Sequence, residues 1–380
     1  MPANAPIAEP AALAACLERW RAQPWIALDT EFVRVKTYYA RLCLLQVCVP
    51  GEAPVCIDPL AVDITPLLDF LREPQRPKII HAARQDLEVL THHGSDGTPP
   101  GPVFDTQIAA ALCGFDPQTG YAELVEAATG VRLEKRHTRA QWDRRPLSAE
   151  ELRYAEDDVR YLGEVYAFLS ERLAALGRTA WLEEECAALL DPALYRFDPE
   201  RAYLRLKQGA QLPPASQPVL QKLAAWRERT AQRQNLPRHW VVPDAVLVAI
   251  AARLPADETA LRRIPGAGGA IARRWGEKIL AAVREGLAQG PRRLWPEAVP
   301  LQTRERLLLE RLGERVEARA RSLGLAPSVL ATRRDLVPLA CNPPADSPVL
   351  HGWRYETIGA ELLALARRGG DAGQARSQKR

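Results

Sequence analysis

The chain has no C-x-x-C pair, and none of its seven cysteines has a histidine at the spacing that zinc requires. An odd cysteine count without a framework argues against a disulfide scaffold and for the reducing cytosol. No run approaches the ~20 apolar residues of a membrane span. The first residues, MPANAPIAEP, lack the basic start and apolar core of a secretory signal. The one Gly-rich turn, GAGG at 266–269, is not followed by Gly-Lys-Ser/Thr, so no phosphate loop and no nucleotide cofactor are expected. No heptad or other oligomerisation signal stands out, and a monomer is expected. These absences leave a soluble cytoplasmic protein without a membrane partner.

What is present is an ordinary globular balance, 47% hydrophobic and 26% charged over 380 residues, enough for two or three domains. The net charge of +4 hides a division. Residues 1–200 carry 20 Lys/Arg against 31 Asp/Glu, whereas residues 201–380 carry 31 against 16. An acidic half beside a basic half suits a protein that captures a polyanion with one part and acts on it with the other. The plainer alternative is the solvated surface of an arginine-rich protein, since 44 of the 51 basic residues are Arg.

Three segments hold the candidate chemistry. In WIALDTEFVR the apolar run predicts a strand, and side chains two apart on a strand share a face. Asp29 and Glu31 therefore point together, with Thr30 opposite. Two adjacent carboxylates repel unless a cation sits between them, and hard oxygen ligands suit Mg²⁺ or Mn²⁺. Taken alone, D-x-E fits an exposed acidic pair equally well. Asp86 follows the apolar pair Ile79-Ile80 at the start of a predicted helix, where alone it would complement the helix dipole. In SAEELRYAEDDVRYL, Ser148 and Glu151 form a capping-box pattern opening a long helix with Leu152, Ala155, Val159, Leu162, Val165 and Tyr166 as its apolar stripe. Tyr154 and Asp158 lie one turn apart on a common face. Asp157 is rotated away, toward solvent or a local ion pair.

Together the three segments resemble the exonuclease motifs of the DEDD superfamily, in the branch with tyrosine in the third motif. The words LDTEFVR, TYYARLCLLQV, IIHAARQDLEVL, FDTQIAAAL and RRPLSAEELRYAEDDVRYL are similar to the ribonuclease D family over roughly residues 20–200. The resemblance implies a ribonuclease H-like α/β fold, a mixed sheet flanked by helices. It also implies a 3′→5′ exoribonuclease that uses two divalent ions, Mg²⁺ or Mn²⁺, to release nucleoside 5′-monophosphates from RNA, with tRNA precursors as substrate. Asp29, Glu31 and Asp158 would hold one ion, Asp29 would be shared with the second, Asp86 would support the second, and Tyr154 would bind the attacking water. A DNA 3′→5′ exonuclease of the same superfamily and an inactive nucleic-acid-binding protein are the alternatives. Two departures, TYYA without the usual following proline and TRAQW in place of a serine-aspartate before the tryptophan, bear on substrate placement rather than on the acids.

Coarse patterning divides the chain into an exonuclease domain at 1–205, a Pro-rich linker at 206–218, a helical module at 219–292, a second at 298–368 and a disordered tail at 369–380. The first module resembles the HRDC nucleic-acid-binding domain and the second a divergent copy. Within the first domain, helices are expected at 11–21, 64–72, from about 85, at 104–112 and at 121–128, and strands at 25–33, 41–49, 54–58 and 78–82. Candidate nucleic-acid contacts are Arg139 and Trp142 in the basic stretch 132–145, and Gly266, Gly268 and Arg273 at the glycine turn, where a helix start offers amides to a phosphate. A core tryptophan and a packing turn are the plainer readings. On this division, removing residues 211–380 spares cleavage of short strands and weakens capture of tRNA-sized RNA.

Overall fold

Strand β1 (Ile26–Val33) is buried over Ile26–Leu28 and at Thr30 and half-buried at Asp29 and Glu31–Val33, so the two acids share the more open face while Thr30 turns inward. It runs through the middle of a five-stranded sheet of order β3-β2-β1-β4-β5, with β2 at Arg41–Cys48, β3 at Val55–Ile57, β4 at Lys78–Ile80 and β5 at Val103–Asp105. β2 and β3 are antiparallel, whereas β1, β4 and β5 are parallel, with Ala27 opposite Ile79 and Ile79 opposite Phe104. The sheet is thus mixed, as expected. Helices α1 (Pro10–Trp20), α2 (Thr65–Arg72), α3 (Arg84–His93), α4 (Thr106–Leu112), α5 (Tyr121–Thr129), α6 (Ala149–Arg160), α7 (Leu162–Leu176) and α8 (Thr179–Ala188) accompany it. The computed structural model describes residues 5–94, 96–133, 140–295, 300–341 and 346–377, with side chains to residue 368. Among these residues no helix is long and apolar enough to cross a membrane.

Two sequence expectations change here. Phe104 and Asp105 open no helix but close β5; three residues are too few for an alternation to be read. The expected long helix of the third motif is two helices, α6 and α7, meeting at Tyr161. The hydrogen bond that would join the Tyr161 amide to the Asp157 carbonyl is replaced. The Tyr121 hydroxyl accepts from Tyr161 N–H and donates to Asp157 O, each at 3.1 Å. A side chain inserted into the helical ladder is a standard cause of a break.

The chain forms two compact units that do not follow chain order. One comprises Met1–Phe32, Leu42–Asp191 and Pro300–Arg380, and the other Val33–Arg41 with Pro192–Val299. In the first unit the C-terminal helices α14 (Thr303–Leu323), α15 (Pro327–Leu330), α16 (Arg333–Cys341), α17 (Gly352–Arg354) and α18 (Ala360–Ser377), which follow the helices of residues 216–288 in the other unit, share a core with α4, α5, α7 and α8. Trp353 lies flat on Trp181, with ring centres 4.3 Å apart, and its indole N–H donates to Glu185 at 2.7 Å. Arg178 donates to the carbonyls of both Leu112 and Leu323. A Cβ on Gly114 would stand 2.6 Å from the carbonyl oxygen of Gly324, so backbone meets backbone there. α18 is helical across 369–377, a stretch read from sequence as part of a disordered tail, although three glycines and an aspartate in it disfavour helix.

The second unit is helical, with α9 (Ser216–Gln234), α10 (Arg238–Val241), α11 (Asp244–Arg253), α12 (Glu258–Arg262) and α13 (Ala270–Ala288). The stretch read from sequence as a linker, 206–218, runs through a 3₁₀ turn into the start of α9. Pro199–Arg205 and Lys207–Gln211 are 3₁₀ turns, and Leu206 and Gly209 are buried. The segment 33–41 packs in this unit through Tyr38 and Tyr39, whose amides donate to Asn235 Oδ1 at 3.0 and 3.1 Å. The Tyr38 hydroxyl donates to the buried Glu228 and accepts from Arg238.

Candidate active site

Asp29 and Glu31 leave β1 just beyond its last paired residues with β4, and Asp158 arrives from the third turn of α6. Carboxylate oxygens of the three lie within 4.8 Å of one another. The capping box of α6 is formed, Ser148 Oγ accepting from Glu151 N–H at 3.2 Å and Glu151 accepting from Ser148 N–H at 2.7 Å, which fixes where the helix starts. The inserted Tyr121 fixes where it ends. Tyr154 lies one turn before Asp158 on α6, close enough for that carboxylate and those of Glu31 and Asp29 to act on its hydroxyl. Asp157 pairs with Arg160 at 2.7 Å, away from the cluster, as its helical phase predicted.

Asp86 sits in the first turn of α3 and is 6% exposed. It is not among the three mutually close acids, but its charge bears on both Asp29 and Glu31. Thr30, read from alternation as merely pointing away, has a role: its hydroxyl donates to Asp86 Oδ1 at 2.5 Å and ties β1 to α3. Asp105 was also missed. Its buried carboxylate accepts from the amides of Ala82, Ala83, Gln107 and Ile108, at 3.2, 2.8, 2.8 and 3.2 Å. It thereby caps α4 and holds Ala82 in the left-handed region, at φ 55°, in the turn leading to Asp86. An Asp between a strand end and a helix start was the available signal. His81 is next to that turn, its Nδ1 2.9 Å from Thr106 Oγ1, and burial drops its pKa to about 4, so it is neutral at pH 7.

The acids are crowded. Burial first, then the charges of Asp86, Asp158 and Glu31, push Asp29 well above the carboxylate range. Burial and Asp158 lift Glu31 to about 8. Burial, the first cause in each, takes Asp86 and Asp158 to about 7. An oxygen-only donor set under like-charge repulsion is what a hard divalent cation relieves, so the residues present fit such an ion.

The candidate nucleic-acid contacts fare differently. Arg139 lies outside the described residues. Trp142 is 6% exposed, with its ring centre 6.3 Å from that of Tyr154 and the planes 30° apart. Its indole is turned to the Tyr154 ring, while the next two residues, Asp143 and Arg144, are exposed. In the second unit Gly266 and Gly269 have φ of 80° and 60°, and a Cβ on Gly266 would stand 2.8 Å from Val246. Gly268 faces the Arg262 carbonyl, which a Cβ would meet at 3.0 Å. Packing between helices accounts for this turn without a phosphate. Arg273 is exposed in the first turn of α13.

Comparison with known proteins agrees with this architecture. The 3'-5' exonuclease family matches residues 5–174, and the HRDC domain family matches residues 216–283. Ribonuclease D of Gluconacetobacter diazotrophicus is 40% identical over 93% of this chain and 90% of its own length. Ribonuclease D of Nitrobacter hamburgensis is 39% identical over 93% of each. The crystal structure of Escherichia coli RNase D, described as an exoribonuclease involved in structured RNA processing, superposes with a TM-score of 0.80 at 32% identity, covering 95% of this chain and 98% of that one. With its mixed sheet, its acids drawn from β1, α3 and α6, and its helical HRDC module, the chain belongs to the ribonuclease D family of 3′→5′ exoribonucleases.

Proposed function

We propose that this protein is a cytoplasmic, divalent-metal-dependent exoribonuclease that removes nucleotides singly from RNA 3′ ends, releases nucleoside 5′-monophosphates and matures the 3′ ends of tRNA precursors. The supporting observation is the convergence of Asp29, Glu31 and Asp158 within 4.8 Å. These three would hold one ion; Asp29 would be shared with a second, supported by Asp86, and Mg²⁺ or Mn²⁺ suits the oxygen ligands. Bound there, such ions lower the pKa of a water and offset charge on the departing 3′ oxygen.

The protein's own groups do the positioning. Thr30 and the Asp105-held turn fix Asp86. Burial, then the charges of Asp158, Glu31 and Asp29, keeps the Tyr154 hydroxyl protonated, so its assigned part is to orient the attacking water by a hydrogen bond rather than to take its proton. Tyr154→Phe is expected to bind Mn²⁺ as the parent does and to turn over ~10²-fold more slowly. Parental turnover in that variant removes this role. The basic 201–380 half is assigned to holding the polyanion, and the choice of RNA over DNA to contacts with the 2′-hydroxyl. Free thiols at all seven cysteines suit a reducing compartment.

The test is a product analysis on matched RNA and DNA oligomers with free and blocked 3′ ends. Expected is 5′-monophosphate release from free 3′ ends with Mg²⁺ or Mn²⁺, abolished by EDTA and faster on RNA. Equal rates on both polymers defeat the RNA assignment. No release from either favours a protein that binds nucleic acid without cutting it.

A further inference from the structure

Arg145 closes the basic stretch 132–145, yet its guanidinium is wholly occupied by protein. Nε and Nη2 hold the two oxygens of Asp58 at 2.5 and 2.7 Å. Nη2 also donates to the Cys43 carbonyl at 2.6 Å, and Nη1 to the carbonyls of Trp142 and Arg144 at 2.8 Å each. That engages all five N–H groups of an arginine. Asp58 is itself fixed just after β3, its amide donating to Ile7 O at 2.9 Å and its Oδ1 accepting from Leu60 N–H at 2.9 Å. Cys43 lies within β2. The clamp therefore ties the loop before α6 to the antiparallel edge of the sheet.

The clamped loop carries Trp142, whose buried indole lies against the Tyr154 ring. Tyr154 has the indole along its ring and the Asp158 carboxylate one turn further along α6. We propose that Arg145 is a positioning residue for Tyr154: by pinning residues 142–145 to Asp58 and the Cys43 carbonyl, it holds Trp142 as the wall that sets the tyrosine ring and so the aim of its hydroxyl. The proposal rests on the role assigned to Tyr154 above. A lysine cannot replace the clamp, since its three donors radiate from one point and lack the planar fork that meets both carboxylate oxygens.

The experiment is a double-mutant cycle between Arg145→Lys and Tyr154→Phe, with a crystal structure of the Arg145→Lys protein. Arg145→Lys is expected to lower kcat roughly 10–100-fold, the scale of a small misplacement at a reacting centre. KM and Mn²⁺ affinity are expected to stay within about 2-fold, and the double variant to be no slower than Tyr154→Phe alone, as for residues acting through one group. Trp142→Ala should behave like Arg145→Lys, while Trp142→Phe restores most of the rate by restoring a ring. If Arg145→Lys fails to fold, Trp142→Ala takes its place in the cycle. Losses that multiply in the double variant, or a Tyr154 ring unmoved in the Arg145→Lys crystal, overturn the clamp. Parental turnover in Tyr154→Phe strikes the assigned role of the hydroxyl instead, and the ring position then decides the clamp by itself.

Discussion

Asp29→Asn is expected to leave a folded protein that cuts at least ~10³-fold more slowly, the loss typical of removing one member of a set that acts as a unit. In EDTA at pH 8 the same variant is expected to melt at a higher temperature than the parent. Both outcomes follow from the crowding of the acids. In the folded chain Asp29 titrates well above the ordinary carboxylate range, Glu31 at about 8, and Asp86 and Asp158 at about 7. A folded pKa above the unfolded one means that the native state binds protons more tightly. The stability these groups contribute is therefore fully present below pH ~4, near their unfolded values, and is lost as the pH rises through 7 to 8. Removing Asp29, whose carboxylate is penalised by burial and by the charges of Asp86, Asp158 and Glu31, relieves part of that loss, at about 2–4 °C for each kcal/mol regained. Mg²⁺ should raise the parent's melting temperature at pH 8 and do little for the variant. Melting curves at pH 5 and pH 8, with and without EDTA, check this. A variant no more stable than the parent at pH 8 without metal would show that the acids do not repel as placed.

Removal of residues 300–380 is expected to destroy the exonuclease unit rather than trim its substrate range. This reverses the expectation from sequence that the basic half is dispensable for cutting short strands. Leu312, Ala320, Leu330, Leu339 and Leu362 are all fully buried and belong to one core cluster with Leu169, Leu173 and Leu182. Each fully buried leucine-sized side chain contributes about 1.5–3 kcal/mol, and whole-domain stabilities are only ~5–15 kcal/mol. Losing α14–α18 also strips the Trp353 face from Trp181 and leaves Arg178 without its Leu323 acceptor. The truncated chain is expected to be insoluble or to lack near-ultraviolet circular dichroism, with no release of nucleotides even from dinucleotides. A soluble, cooperatively melting truncation that still cuts short strands would disprove the shared core.

The parts of the site that sequence made legible are those set by short-range patterns. Alternation placed Asp29 with Glu31, helical phase placed Tyr154 with Asp158 and sent Asp157 to Arg160, and the Ser148–Glu151 box marked the start of α6. What escaped depends on partners distant in sequence. The insertion of Tyr121 into the α6–α7 ladder spans some 40 residues, the Thr30 bond to Asp86 spans 56, and the Tyr39 bond to Asn235 spans 196. No periodicity encodes such pairings. The C-terminal helices read correctly as helices, but an amphipathic stripe says that a face is covered, not by what. Here the cover includes α4, α7 and α8 of the exonuclease rather than a self-contained module. Trp142 shows the same gap, since an aromatic among arginines reads alike whether it meets a base or a tyrosine.

The shared core also sets a schedule for the newborn chain. Every acid of the cluster has been synthesised by residue 158, yet the last residues of its supporting core are Leu362 and Ala366 of α18. At the usual pace of translation, some 5–20 residues per second, that interval lasts roughly 10–40 s. For that long a ribosome carries an unfinished nuclease beside its own messenger and its charged tRNAs, and the cutting machinery matures only as the last helices emerge from the exit tunnel.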